Sequence, residues 1–272
     1  MTHTIQTDAN IENHGHSHEH EHSQSHEEDH EEHHEHDEAP LKEHIYHKKN
    51  KHMDKATINK SPNIGLYALA TDNYCLVPYQ TLPEEIQKIT DILKVPVHKI
   101  SIAGTDLIGV FCAANNNVLL VPEIIYDNEE RELKKLNIPY KIIKTFHTAL
   151  GNNILTNDEA CFVSDEFSAD TKKIIRQALG TILRPGTIGG VPVVGSSAVL
   201  NDKGMLIHRD ASRDEISYLK DTFKLPLDIG TVNMGSPYIK SGILINKNGY
   251  LIGNTSGGPE IQRADYALGF LE

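Results

Sequence analysis

The sequence predicts an α+β protein: an α/β propeller of five ββαβ repeats around a pseudo-fivefold axis, closed into a ring by the N-terminal strand of the folded body. Three observations carry this. One eight-residue block recurs five times, other landmarks keep its register, and the last repeat lacks a strand that the start of the body can supply.

The block begins with Thr or Asn, passes through a polar turn and ends in an apolar run. Its copies are Thr71-Asp72-Asn73-Tyr74-Cys75-Leu76-Val77-Pro78, Asn115-Asn116-Asn117-Val118-Leu119-Leu120-Val121-Pro122 and Asn157-Asp158-Glu159-Ala160-Cys161-Phe162-Val163-Ser164. Asn201-Asp202-Lys203-Gly204-Met205-Leu206-Ile207-His208 and Asn246-Lys247-Asn248-Gly249-Tyr250-Leu251-Ile252-Gly253 follow, the starts lying 44, 42, 44 and 45 residues apart. Asn, Asp and Gly tolerate the backbone of a tight hairpin, so each block reads as a hairpin turn and its second strand.

Six residues before four of the blocks sits a glycine: Gly65, Gly109, Gly151 and Gly195, with Lys240 breaking the rule in the fifth copy. A glycine lets backbones approach closely, so these strand starts are expected to crowd the axis. Helix N-cap candidates follow each block at Thr81, Asp127, Ser168, Ser212 and Gly258. Thr81 with Glu84, Asp127 with Glu130 and Ser212 with Glu215 have capping-box spacing. Pro259 suits a first helical position. Ile86, Ile89 and Ile92-Leu93 give the first helix its apolar stripe. Third strands are expected at 97–102, 140–144, 181–183 and 227–232. The fifth copy has none before the sequence ends, and counting back from Thr71 places the missing strand at 51–54, just before Lys55-Ala56-Thr57-Ile58.

Residues 1–52 differ in kind. They hold 14 of the 17 histidines, and 4 Lys against 13 acidic residues give a formal charge of −9. So little apolar surface cannot offset chain entropy, and the segment is expected to be a disordered tail before a folded domain at 53–272. Its histidines offer weak divalent-metal ligands at His14, His16, His18, His20, His22, His33, His34 and His36. Full protonation of its 14 histidines would move the tail from −9 to +5.

The body, with 22 basic and 25 acidic side chains, is nearly balanced, which argues against charge-driven binding along free nucleic acid and for a protein partner. No apolar run is long enough to cross a bilayer, and no signal peptide is visible. Cys75, Cys112 and Cys161 each sit inside an apolar run, as buried thiols of a reducing cytoplasm do. The Gly-rich run at Thr187-Ile188-Gly189-Gly190 lacks the ending of a phosphate-binding loop.

Several runs carry a resemblance across about residues 54–272. They are the first block, Ser101-Ile102-Ala103-Gly104, Ala149-Leu150-Gly151-Asn152, Gly230-Thr231-Val232-Asn233 with Gly235-Ser236, and the ending Ala267-Leu268-Gly269-Phe270-Leu271. On these the chain resembles the translation initiation factor 6 family, archaeal type, whose fold is the pentein fold. The resemblance implies a cytoplasmic, monomeric ribosome anti-association factor without cofactors. Such a factor binds the large subunit at a ribosomal protein surface near the sarcin–ricin loop and excludes the small subunit. A part in large-subunit maturation goes with it.

The positions after the registered glycines are Leu66, Val110, Asn152, Ser196 and Ser241, which pseudosymmetry puts on one face. Asn152 lies in the Leu-Gly-Asn run that the resemblance implicates in ribosome binding. Asn233 and Ser236 belong to a between-repeat loop expected near the same face. Family members often carry Arg where this chain has Val110 and Met234. Other proteins of the fold modify guanidino groups with a Cys and a His. Here the body histidines are His98, His147 and His208, none adjacent in sequence to a cysteine, so no catalytic set is assigned.

Overall fold

In a computed structural model, residues 52–271 are described; the tail histidines proposed as metal ligands lie outside them. The body opens with β1 (Met53–Ala56). The first repeat is α1 (Ile64–Tyr67), β2 (Leu69–Ala70), β3 (Cys75–Val77), α2 (Pro83–Leu93) and β4 (Val97–Lys99). The second is α3 (Ile108–Phe111), β5 (Ala113–Ala114), β6 (Leu119–Pro122), α4 (Asp127–Lys135) and β7 (Tyr140–Ile143). The third is α5 (Leu150–Asn153), β8 (Ile154–Thr156), β9 (Ala160–Ser164), α6 (Ala169–Leu179) and β10 (Ile182–Gly186). The fourth has β11 (Ala198–Leu200), β12 (Met205–His208), α7 (Arg213–Phe223) and β13 (Leu227–Gly230). The fifth has α8 (Ile239–Gly242), β14 (Ile243–Asn246), β15 (Gly249–Gly253) and α9 (Gly258–Ala267).

These strands make five three-stranded sheets, the mixed α+β repeat architecture the spacing predicts. In each, the second strand is central, antiparallel to the first and parallel to the third, as with β3 between β2 and β4. The fifth sheet takes its third strand from the start of the body: β1 runs parallel to β15, Met53 opposite Tyr250 and Ala56 opposite Gly253. The ring closes through that pairing.

Two expectations need correction. The registered glycines do not begin strands; in four of the repeats they, or Lys240, lie in one-turn helices that precede the first strand. Three helix starts shift by one residue. Leu82, Tyr126 and Gly257 are the observed N-caps, in place of Thr81, Asp127 and Gly258, while Ser168 and Ser212 hold. The reason is common to all three. Glu85, Glu129 and Glu260, not their sequence neighbours, occupy the third helical position and accept the N-cap N–H at 3.0, 3.0 and 2.9 Å. A carboxylate reaching back fixes the start even where the cap side chain has no acceptor.

Each repeat has an apolar core that side chains of the preceding repeat complete. Leu244 and Leu251 of the fifth repeat pack with Ile64, Ile89 and Leu93 of the first. Leu69 and Leu76 of the first pack with Ile108 and Leu119 of the second, and the pattern repeats around the ring. Each repeat therefore depends on its neighbour to finish covering its apolar face. Leu251→Ala, at the closing junction, should cost about 2–5 kcal/mol. Denaturant unfolding followed by circular dichroism and by tyrosine fluorescence should still give coincident transitions, since each core is completed by the neighbouring repeat.

Candidate functional site

Because second and third strands of each sheet are parallel, every loop that leaves them emerges at one end of the sheets. The one-turn helices enter the antiparallel first strand from that same end. One face of the ring therefore collects α1, α3, α5, α8 and the between-repeat loops, and the other collects the hairpin turns.

On the first face the axis is built from backbone. A β-carbon on Gly109 would overlap the Gly65 carbonyl oxygen, one on Gly151 that of Gly109, and one on Gly195 that of Gly151. Gly65 stands in the same way against Lys240 O. At the remaining junction, between fourth and fifth repeats, the Lys240 N–H donates to Ser196 O at 3.1 Å. The close approach expected of these glycines is what the chain uses them for.

Around this axis the predicted residues separate into two kinds. Ser196 and Ser241 are buried, and their hydroxyls donate to Val193 O (2.9 Å) and Tyr238 O (2.7 Å) of their own turns. Asn233 is saturated within the fold. Its amide donates to Pro62 O (3.0 Å) and Asn63 Oδ1 (3.1 Å) of the first repeat, and its Oδ1 accepts from Thr255 and Ser256. Ser236 closes its loop through paired backbone bonds with Val232. Val110 and Leu66 are half-buried apolar side chains. Asn152 differs. Its carbonyl accepts from Gly195 N (2.8 Å) and Ser196 N (3.2 Å), but its side-chain amide has no partner among the described residues. The neighbouring Asn153 instead takes the structural duty, donating to Ala149 O at 2.8 Å.

The loops around the rim follow one rule in the second, fourth and fifth repeats; in the first, Glu85 reaches its loop only through Thr57 Oγ1, at 3.5 Å. The glutamate at the third position of a helix clasps the loop that leads into its own repeat. Glu129 accepts from Ser101 Oγ (2.7 Å), Ala103 N (2.8 Å) and Gly104 N (2.9 Å) as well as from Tyr126 N. Glu215 does the same for Thr187, Gly189 and Gly190, and Glu260 for Thr231, Met234 and Gly235. These loops turn through successive left-handed residues, Ala103 with Gly104 or Met234 with Gly235, which aims two N–H groups at one carboxylate. Burial raises the pKa of Glu215 and Glu260, but the accepted hydrogen bonds outweigh it and hold both below the ordinary carboxylate value.

In the third repeat Thr171 stands at the third helical position, bonded to Ser168, and the loop before α5 has no such clasp. That loop carries Phe146 with its whole side chain exposed, at 104%. Sequence reasoning missed it, although the signal was there. Thr57-Ile58-Asn59-Lys60, Ser101-Ile102-Ala103-Gly104, Thr187-Ile188-Gly189-Gly190 and Thr231-Val232-Asn233-Met234 are alike, and Lys144-Thr145-Phe146-His147 is not. Met234, Tyr126, Tyr79 and Ile124 are further exposed apolar side chains on loops of this face.

The opposite face is acidic. Asp72, Asp158, Glu159 and Asp202 line its mouth with Asn116 and Lys247, around a cavity of about 250 Å³. Asn116 ties the turns together, donating to Asp72 Oδ2 (3.0 Å) and Asp158 Oδ2 (2.7 Å). Among the described residues no group of three or more His, Cys, Asp or Glu could hold a metal ion, and no helix is long and apolar enough to cross a membrane. The three cysteines are buried and unbridged, and burial pushes each thiol well above its ordinary pKa, away from the reactive thiolate.

Comparison with known proteins matches residues 53–267 to the eIF-6 family. The chain belongs to that family. It is 38% identical to translation initiation factor 6 of Pyrococcus abyssi over 226 residues, covering 81% of this chain and 100% of that protein. It is 37% identical to the same factor of Saccharolobus islandicus (80% and 99%) and 38% identical to that of Picrophilus torridus (79% and 99%). A solved structure of the N-terminal domain of ArgZ with a bound reaction intermediate aligns with 59% of this chain and 65% of its own. The match has 12% identity and a TM-score of 0.38. Within the family architecture, the first face combines a free amide at Asn152 with the unclasped loop of Phe146.

Two measurements test this construction. Glu129→Ala, which strands four donors of a buried carboxylate, should lower stability by about 3 kcal/mol or more, read by urea unfolding. The second concerns Lys240, whose pKa burial lowers from 10.5 to about 8, with the buried Cys112 thiol as the ionisable neighbour acting on it. Between those values the unfolded chain carries a proton on this lysine that the folded chain does not, so the lysine's own contribution to stability should rise with pH across that window, by up to about 3 kcal/mol, against the opposite contribution of the three buried thiols above their ordinary pKa. Lys240→Met should remove that rise.

Proposed function

We propose that this chain acts in translation initiation by binding the large ribosomal subunit and preventing its association with the small subunit. The contact is the face of one-turn helices and between-repeat loops, and the partner is a ribosomal protein surface near the sarcin–ricin loop. The observation that carries the choice of face is Asn152. It lies in the Leu-Gly-Asn run, on the face that also presents Phe146, and its amide spends nothing on the fold. Val110, Ser196, Ser241, Asn233 and Ser236 frame this contact, the last four as its scaffold.

The chemistry of the two faces supports the same reading. An acidic mouth repels the phosphate backbone that coats a ribosome. A face with exposed Phe, Tyr and Met side chains and a free amide has the composition of a protein-binding surface. The factor works by occlusion, without catalysis or cofactor, as a cytoplasmic monomer, and the same contact would serve during large-subunit maturation.

Sedimentation with purified archaeal large subunits tests this. The protein should travel with the large subunit and reduce the joined-ribosome peak when small subunits are added. Asn152→Ala and Phe146→Ala should each weaken that binding by about tenfold while leaving thermal stability unchanged. A protein that stays at the top of the gradient would refute the reading. Undiminished binding by both variants, with loss on altering the hairpin-turn residue Asn116, would move the contact to the other face.

A further inference from the structure

The glycine rule of the axis fails in the fifth repeat, and ribosome binding does not account for the failure. Where the other repeats place Gly65, Gly109, Gly151 and Gly195, the fifth places Lys240. Its side chain does not turn out to solvent. It crosses the axis, and its Nζ donates to Gly151 O at 2.7 Å and to Gly109 O at 2.9 Å. The α8 turn that carries Lys240 packs against α1 of the first repeat and β11 of the fourth. The carbonyls it reaches belong to the third and second repeats, so one side chain joins the fifth repeat to the two it does not otherwise adjoin at the axis.

The surroundings are unusual for an amine. A cavity of about 110 Å³ adjoins it, lined by small and aliphatic residues that include Gly65, Ala68, Ala113, Gly195 and Ala198, and no carboxylate lines it. Lys240 is therefore not held by a counter-charge. It is held by N–H donation to two backbone carbonyls, which a neutral amine can make as well as an ammonium.

We propose that Lys240 is the axial lock of the ring. Its amine bonds the second and third repeats to the fifth, and the space that its side chain leaves when truncated accepts a small primary amine in its place. The fifth repeat needs such a tie. Its sheet is completed by β1, with no peptide bond joining the two around the ring. A bridge through the middle restrains the closing junction from the side opposite to the strand pairing.

Chemical rescue tests the lock. Lys240→Ala should lower Tm by about 5 °C or more. Methylammonium or ammonium chloride, whose N–H groups can enter the vacated pocket, should return at least half of that loss. Tetramethylammonium chloride at equal ionic strength, a cation without N–H, should return none, and the unaltered protein should respond alike to all three salts. Lys240→Met, which fills the pocket without a donor, should lose stability and show no rescue. Undiminished Tm in both variants would overturn the proposal, and so would a loss that no amine restores or that tetramethylammonium restores equally. If neither variant folds, NMR of the ¹⁵N-labelled full-length protein decides. One side-chain amine signal protected from solvent exchange is expected at neutral pH, and its absence would overturn the lock.

Discussion

The ring depends on backbone meeting backbone at its axis. Five repeats can close around a line only if their innermost segments come closer than side chains allow, and here Gly65, Gly109 and Gly151 each receive the next repeat against their own carbonyl oxygens. A single β-carbon at Gly109 would push apart two repeats, and the displacement could not be absorbed locally. Each core takes in side chains of the preceding repeat, so widening one junction opens apolar surface in a core shared by two units. Axis and cores thus constrain the same distance from two directions.

A second constraint sits at the rim, where one carboxylate does two jobs. The third-position glutamate of α4, α7 and α9 satisfies the helix start and also gathers the loop entering the repeat. These loops bend through left-handed residues such as Ala103 and Asn233, a conformation that costs free energy and needs outside support. The carboxylate supplies it by accepting the N–H groups that the bend exposes. The depressed pKa of Glu215 and Glu260 is the electrostatic record of that support.

Periodic features were legible in the sequence because they are set locally. Hairpin turns follow from Asn, Asp and Gly in short order, helices from apolar spacing, and the closing strand from a count that comes up one strand short. What was misplaced depended on contacts distant along the chain. Thr81 reads as a better cap than Leu82 until Pro83 and Glu85 are seen to fix the start one residue later. The glycines read as strand starts because their helical turns are one turn long, too short to leave a periodic signature. Asn233 and Ser236 looked like contact residues because they are polar and sit in a loop. Only the partners of Asn233 in the first repeat show it stapling the closing junction. Asn152 and Asn153 cannot be told apart by type, and the bond from Asn153 to Ala149 O is what separates them.

Pseudosymmetry also sorts fold from function. Whatever recurs in every repeat, such as the axial glycine, the hairpin block and the shared core, is explained by closing the ring, and a partner that has no fivefold symmetry cannot be recognised by it alone. Recognition must rest on what breaks the repeat. The breaks in this chain are few and fall near the axis and one face: Lys240 among the glycines, Thr171 among the glutamates, and the unclasped loop of Phe146. The first has its partners inside the ring and so reads as closure. Thr171 is satisfied by Ser168, and the loop that it leaves without a carboxylate exposes Phe146. A fully exposed aromatic ring left out by the loss of one carboxylate, in the repeat that also carries the free amide of Asn152, gives an otherwise repetitive face a direction. On that ground the contact proposed for this chain is assigned to the third repeat, and not to the ring as a whole.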